Sequence, residues 1–283
     1  MTATTIKSVL LDAQQKLETI SDSPALDAEL LLAHCLNKSR SHLFTWPENE
    51  LDNAQKKCFN SLIEKRLTDY PVAYLVGTKA FWTLDLLVTP DVLIPRPETE
   101  LLIEVALEKI SNITKPKILD LGTGSGAIAL ALANERADAH VTACDYSLKA
   151  LEIAKENADI NNLSNRVIFT ESNWFSNIEG VFDLIVSNPP YIAEDDPHLL
   201  QTIRHEPQQA LVAKNKGMSD IDILIKESSN YLKNGGWIII EHGYNQGEKT
   251  LEGFSKCGFV NAETRIDLNQ NPRLTIAQKL TVK

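Results

Sequence analysis

The sequence predicts an α/β protein: a mostly parallel sheet covered by helices on both faces, preceded by a small helical bundle and a β-hairpin linker. Three changes of texture along the 283 residues carry that expectation. The chain up to Tyr70 has helical periodicity and almost no β signal. From Pro71 to Pro97, short alternating apolar runs are broken by prolines. After Lys117, strand-like and helix-like segments alternate. The expected boundaries are 1–72 for the bundle, 73–97 for the linker and 98–283 for the sheet domain.

Val9, Leu10 and Leu11, with Leu17 and Ile20, suit one amphipathic helix. Ser23 before Pro24 is the start signal of a second, with Ser as N-cap and Leu26, Leu30, Leu31 and Ala33 as the apolar face. A third begins at Leu51-Asp52 and runs through Phe59, Leu62, Ile63 and Leu67 until Tyr70-Pro71 stops it. In the linker, Gly77, the alternation from Phe81 to Leu86, Val88 and prolines 90, 95 and 97 predict a hairpin of short strands. A helix follows from Glu98 to Ile110. Strands are expected over 117–121, 140–144, 166–170, 181–187 and 236–241, and helices over 126–134, 147–161, 218–232 and 245–256. Gly258-Phe259-Val260 and Arg273 to Ala277 read as a final strand pair.

Composition narrows the function classes. The apolar fraction is that of a globular protein with a real core. No apolar run approaches a membrane span, and the start, Met1 to Lys7, lacks an apolar signal core, so a cytoplasmic location is expected. Cys35, Cys58, Cys144 and Cys257 have no metal-ligand or redox spacing and read as free, buried thiols. The six histidines form no HxH or HxxxH cluster, so no metal is expected. A net charge of −10 without a basic run speaks against a nucleic-acid partner, whose binding is driven by phosphate neutralisation.

Lys117 to Leu121 is a strand that runs into Gly122-Thr123-Gly124-Ser125-Gly126 and then an alanine-rich helix. A P-loop needs a Lys-Ser/Thr pair at the helix start, where Gly126-Ala127 stands instead. A dinucleotide loop needs G-x-G-x-x-G; here the spacing is G-x-G-x-G, with Asp120 two positions before the first glycine. A carboxylate there repels pyrophosphate and tolerates a cationic or zwitterionic ligand. S-adenosylmethionine, with its sulfonium and α-ammonium, fits that description. Asp145, ending the next strand, is placed to accept from ribose hydroxyls, with Ser147 left to cap the following helix. Asn173 and Trp174, after the third strand, are candidates for the edge and face of adenine.

The run Phe182 to Ser187 reads as a buried strand, and Asn188-Pro189-Pro190-Tyr191 lies just past its carboxyl end. In open α/β sheets ligands bind there. Each residue suits a planar, poorly nucleophilic NH2 group. The Asn188 oxygen and the Pro189 carbonyl can accept its hydrogens, proline fixes the backbone, and the Tyr191 ring can pack on a flat amide or base. The tetrapeptide alone does not choose between a base and a glutamine, and it is also an ordinary turn sequence.

Asp120 to Gly126, Asp145 and Asn188 to Tyr191, in that order, resemble the N/D-P-P-Y/F group of class I S-adenosylmethionine-dependent methyltransferases. Ile94-Pro95-Arg96-Pro97-Glu98-Thr99-Glu100, Asp196-Pro197-His198-Leu199, Glu206-Pro207, Ala210-Leu211, Glu241-His242-Gly243 and Asp27 to Leu32 extend the resemblance to the release factor glutamine methyltransferases of the PrmC/HemK type. The resemblance implies a Rossmann-like, seven-stranded, mostly parallel methyltransferase domain. It also implies S-adenosylmethionine as cofactor and the glutamine of a Gly-Gly-Gln motif in class 1 release factors as substrate. The bundle is then expected to dock that partner, and the enzyme to act as a monomer. Cofactor residues would be Asp120, Gly122, Thr123, Gly124, Ser125, Gly126, Asp145, Asn173, Trp174 and Asn188. Catalysis would rest on Asn188, Pro189 and Tyr191; these, with Pro190, Phe81 and Arg96, would hold substrate. A sister enzyme acting on a ribosomal protein shares the NPPY, and Pro97-Glu98-Thr99-Glu100 favours the release-factor branch. Two positions depart from the pattern: Asn173 replaces the usual Asp, and Asn269 or Asn271 must supply a turn that the family makes with Gly.

Overall fold

The computed structural model describes residues 4–200 and 203–281, apart from the side chains of 198 and 200. Met1, Thr2 and Ala3, and the His198 side chain of the Asp196 to Leu199 motif, lie outside the described residues. The chain forms two compact units, Met1–Thr78 and Lys79–Lys283. No helix among the described residues is long and apolar enough to cross a membrane.

The first unit contains α1 (Ile6–Leu17), α2 (Pro24–Leu36), α3 (Arg40–Thr45), α4 (Asn53–Leu67) and α5 (Val72–Val76). Leu17, Leu31, Leu32, Leu43, Phe59 and Ile63 close its core. Asp52 caps α4 reciprocally with Gln55, which fixes where that helix starts. Ser23 stands at the cap position of α2 but makes no capping bond. Its backbone (φ −141°, ψ 60°) lies outside the extended range that aims a cap oxygen at the next turn. Asp27, on α2, is buried and accepts from Ser21 Oγ at 2.7 Å and Arg66 Nε at 2.8 Å, tying α2 to α4. The free-thiol expectation fails for two cysteines. Cys35 and Cys58 are joined as a disulfide with their Cα atoms 5.9 Å apart, because packing of α2 on α4 brings them together. Cys144 is free and buried; Cys257 is free but exposed.

The second unit opens with the hairpin β1 (Thr78–Phe81) and β2 (Leu84–Leu87), then α6 (Glu100–Ile110). Next come β3 (Lys117–Leu121), α7 (Ala127–Glu135), β4 (His140–Asp145), α8 (Leu148–Ile160), β5 (Val167–Glu171) and β6 (Phe182–Ser187). The short pair β7 (Ile192–Ala193) and β8 (Val212–Ala213), one kinked turn α9 (Lys214–Gly217) and α10 (Ser219–Tyr231) follow. The chain closes with β9 (Leu232–Glu241), α11 (Gly247–Lys256), β10 (Val260–Ile266) and β11 (Pro272–Gln278). The main sheet has seven strands in the order β10-β11-β9-β6-β3-β4-β5, with β11 antiparallel to both its neighbours. Alternation along the central strands explains its two covered faces. Ile118, Leu184, Val186 and Ile239 point into one core, while Leu119, Leu121, Ile185, Ile238 and Ile240 point into the other.

Phe81, Leu84 and Leu86 of the hairpin sink into the first of these cores. Asn157 of α8 holds the hairpin further: its Nδ2 donates to Leu87 O and to Ser125 O, and its Oδ1 accepts from Leu87 N. The turn between β10 and β11 takes its positive φ at Gln270 (64°), not at Asn269 or Asn271. Asp267 dictates this, because its Oδ1 accepts from the backbone N–H of both asparagines and pins them either side of Gln270.

Removing Arg66 would strand a buried carboxylate. Arg66→Ala is expected to destabilise the first unit by about 3 kcal/mol. Urea denaturation followed by circular dichroism measures this; a loss below about 1 kcal/mol, the scale of an exposed pair, would mean Asp27 does not depend on Arg66.

Candidate active site

The glycine loop leaves the carboxyl end of β3, and the Asn188 turn leaves the carboxyl end of β6. The two strands are neighbours, with Leu121 opposite Ser187. Ser187 is fully buried, and its Oγ donates to Leu121 O at 2.7 Å. Because β4 lies on one side of β3 and β6 on the other, a crevice opens between the loops here. It holds a cavity of about 400 Å³.

Of the residues expected in the site, Gly122, Gly124, Asp145, Asn173, Trp174, Asn188 and Pro190 stand on the cavity wall. Gly122 has φ 74°, and a Cβ there would meet the Trp174 ring at 3.4 Å, so the indole closes over bare backbone. Trp174 Nε1 donates to Asp220 Oδ1 at 3.3 Å, which sets the ring's orientation. Asp145 receives Gly124 N on Oδ2 and Ser147 N on Oδ1, each at 2.9 Å. One lone pair on each oxygen remains for a diol. Burial still raises its pKa. Ser147 also caps α8 through Ala150 N, as expected.

Asp120, Thr123, Ser125 and Gly126 are not on the wall. Asp120 lies fully buried beneath the loop, where Thr123 Oγ1 donates to its Oδ2 at 2.6 Å and its Oδ1 has no hydrogen-bond partner. Burial pushes its pKa up to about 7, against the opposing bond from Thr123. Ser125 contributes its carbonyl to Asn157.

In the Asn188 turn, the amide Nδ2 donates to Thr99 Oγ1 at 3.2 Å. Pro189 is buried behind the wall. Tyr191 is half-buried, and its hydroxyl donates to Glu241 Oε1 at 3.4 Å. Its carbonyl accepts from Gln246 Nε2 at 2.9 Å. Gly217 (φ 81°) backs that carbonyl so closely that a Cβ would lie 2.0 Å from it.

Phe81 and Arg96 do not wall the cavity. Phe81 is core, 2% exposed, because the hairpin alternation turns it inward. Arg96 is ion-paired with the buried Glu206, whose other oxygen accepts from Ile94 N at 3.1 Å. Sequence reading missed Asp91, Tyr146, Gln209 and Asp220 on the wall. Tyr146 is the residue after Asp145 and its hydroxyl donates to Gln209 Oε1. Gln209 and Asp220 carry no local signal, since each arrives from a distant segment.

Three carboxylates, Asp91, Asp145 and Asp220, and no lysine or arginine line the cavity among the described residues. Such a wall disfavours pyrophosphate. It suits a ligand that joins cationic groups to a ribose and a base: exposed backbone at the glycines, an acceptor carboxylate at Asp145 and an indole at Trp174 are all present.

Comparison with known proteins agrees with this geometry. Residues 8–77 match the PrmC N-terminal domain and residues 97–268 the methyltransferase small domain. The chain is 48% identical over 261 residues to the release factor glutamine methyltransferase of Aliivibrio fischeri, covering 91% of each chain. It is 44% identical over 275 residues to that of Coxiella burnetii, covering 97% of this chain and 99% of the relative. Among solved structures, a methyltransferase from Pyrococcus furiosus superposes with a TM-score of 0.53 at 20% identity, over 77% of this chain and 97% of that one. That likeness shows the fold; the match of residues 97–268 and the relatives make it that of a class I S-adenosylmethionine-dependent methyltransferase.

Asp120 has a folded-state pKa of about 7 against an unfolded value near 3.8. Between these values the native state binds the extra proton, so this group's contribution to stability falls as pH rises from about 4 to 7. Glu241, also pushed to about 7 by burial, acts in the same sense. The ligand-free protein should therefore lose melting temperature between about pH 4 and 7, and Asp120→Asn should flatten that slope; a variant with an unchanged slope would mean that Asp120 stays ionised throughout.

Proposed function

The chain belongs to the release factor glutamine methyltransferase family, and from that premise we infer that it methylates the side-chain amide of the glutamine in the Gly-Gly-Gln motif of class 1 release factors, with Asn188, Pro189 and Tyr191 as the residues that handle the amide. The observation that carries the residue assignment is the placement of Asn188 on the wall of the same cavity as Gly122 and Asp145.

A glutamine nitrogen is a weak nucleophile because its lone pair is delocalised into the carbonyl. S-adenosylmethionine, when bound, supplies a methyl group activated on a sulfonium. The chain's own residues then have to hold cofactor and amide in line. Asp145 takes the ribose hydroxyls, the Gly122 to Gly126 loop lies along the ligand backbone, and Trp174 with Asn173 meets the adenine. Asn173 replaces a carboxylate by an amide oxygen, which still accepts from an amino group. Asp120 and Thr123 act from below by fixing the loop's shape.

On the substrate side, Asn188 Oδ1 and the Pro189 carbonyl accept the two amide N–H groups and turn the nitrogen lone pair towards the methyl. Tyr191 presents its ring to the amide plane while Glu241 holds its hydroxyl. No strong base is required before transfer; the rate comes from orientation and from acceptors already in place. The first unit is proposed to dock the protein partner, since a tripeptide alone offers little interface. Phe44 and Trp46, 62% and 54% exposed, are its largest exposed apolar side chains near α3. The enzyme is proposed to act as a cytoplasmic monomer with no nucleic-acid partner.

Asn188→Ala should lower kcat by roughly a hundredfold, as loss of one preorganised hydrogen bond does, with cofactor affinity by calorimetry within about twofold. Labelled cofactor should mark a release factor and not the same factor with its Gly-Gly-Gln glutamine replaced; wild-type turnover by Asn188→Ala would remove it from the mechanism. Substituting Phe44 and Trp46 together by Ser should raise KM for intact release factor severalfold and leave a Gly-Gly-Gln peptide unaffected. An unchanged KM would take α3 out of docking.

A further inference from the structure

Part of the cavity wall does not come from the strand ends of the main sheet. Asp91, Val92 and Leu93, which follow β2, stand on it together with Gln209, Ala210 and Val212 from far along the chain. The register of the main sheet does not place either strip. Glu206 joins them. It is 5% exposed, and its two oxygens meet two different donors: Oε2 accepts from Ile94 N at 3.1 Å, and Oε1 accepts from Arg96 Nη2. Ile94 directly follows the first strip, and Glu206 stands just ahead of the second. The second strip is tied again at its far end, where Leu211 O accepts from Ile192 N at 2.9 Å and Val212 pairs with Ile192, the residue after Tyr191. Between these ties, Gln209 receives the hydroxyl of Tyr146, the neighbour of Asp145.

The Tyr146 contact is exposed, so water competes for it, whereas the bond from Ile94 to Glu206 is buried. Both partners of Glu206 are N–H donors. A carboxylate offers two acceptor oxygens and no donor, whereas the amide of a Gln would set its NH2 against one of the two. Neither Glu206 nor Arg96 lines the cavity, so each acts on it through the strip. We propose that Glu206 and Arg96 form a clamp of positioning residues that holds the strip from Gln209 to Val212 against the cavity, and so sets the fraction of the protein ready to take S-adenosylmethionine. Apparent affinity scales with that fraction; a strip displaced for about nine-tenths of the time weakens binding about tenfold. The clamp serves the donor on the reading, given above, of this cavity as the donor's site.

The test compares full-length wild type, Glu206→Gln, Arg96→Met, Arg96→Lys and Asp145→Ala. Calorimetry measures the Kd for S-adenosylmethionine, and hydrogen exchange is followed in the ligand-free protein. Glu206→Gln and Arg96→Met should each raise Kd roughly tenfold. Exchange over residues 207–212 should quicken severalfold in both, while β3 and β6 stay as protected as in wild type, which general destabilisation would not allow. Arg96→Lys keeps a charged donor and should return Kd to within about threefold of wild type. A wild-type Kd or wild-type exchange over 207–212 in Glu206→Gln, or an Arg96→Lys variant as weak as Arg96→Met, overturns the clamp. If that happens while Asp145→Ala binds weakly, the clamp alone fails; if Asp145→Ala binds as tightly as wild type, the donor-site reading fails and the clamp's purpose with it. Should Glu206→Gln not fold, Arg96→Met decides on the same two measurements: a raised Kd with faster exchange over 207–212 supports the clamp, and wild-type values of either overturn it.

Discussion

A buried bond between two strand ends, from Ser187 Oγ to Leu121 O, fixes the spacing on which the proposed chemistry relies. Gly122 is the next residue after one partner and Asn188 the next after the other. The two sides of the cavity proposed for cofactor and substrate therefore start from adjacent points on the sheet. Loops that began on separate elements would have to find their spacing through side-chain packing alone. Here the parallel register of β3 and β6 supplies it, and transfer between two bound groups depends on alignment to within a fraction of an ångström.

The parts of this arrangement that were legible in sequence are those with a local period or a local turn. β3 and β6 are apolar on both faces, so their runs stand out, and the residues that follow them are placed by counting. Ser147 caps α8 as expected because cap chemistry is a short-range matter. Residues that reach the site from far along the chain left no such trace. Asp220 comes from the start of α10 and Gln209 from the loop before β8, and nothing in either segment announces Trp174 or Tyr146 as a neighbour. Phe81 illustrates the opposite error: its alternation was read correctly, but which face of the hairpin met the core was not visible. Cys35 and Cys58 were missed for the same reason, since only the packing of α2 on α4 joins them.

Two buried carboxylates, Asp120 in β3 and Glu241 at the end of β9, flank β6 with one oxygen each lacking a hydrogen-bond partner. Apolar residues there would be better for stability, and the departure from that local rule falls where function is expected to override it. Asp120 lies under the Gly122 to Gly126 loop, and Glu241 stands behind the Asn188 turn, the two segments proposed to meet donor and amide. Each acts through a hydroxyl, Thr123 in one case and Tyr191 in the other. The apolar bulk on both faces of the sheet offsets the cost of keeping these groups out of water.

The acidic wall of the cavity also bears on turnover. Asp91, Asp145 and Asp220 line the cavity proposed for the donor, with no lysine or arginine among the described lining residues, although Lys149 answers Asp91 from outside. Methyl transfer turns a sulfonium into a neutral thioether, so the spent ligand carries one positive charge less than the one that entered. The same fixed field therefore attracts the incoming donor more strongly than it retains the product. On the proposed reading of the site, the charge lost in transfer itself favours exchange of product for fresh donor.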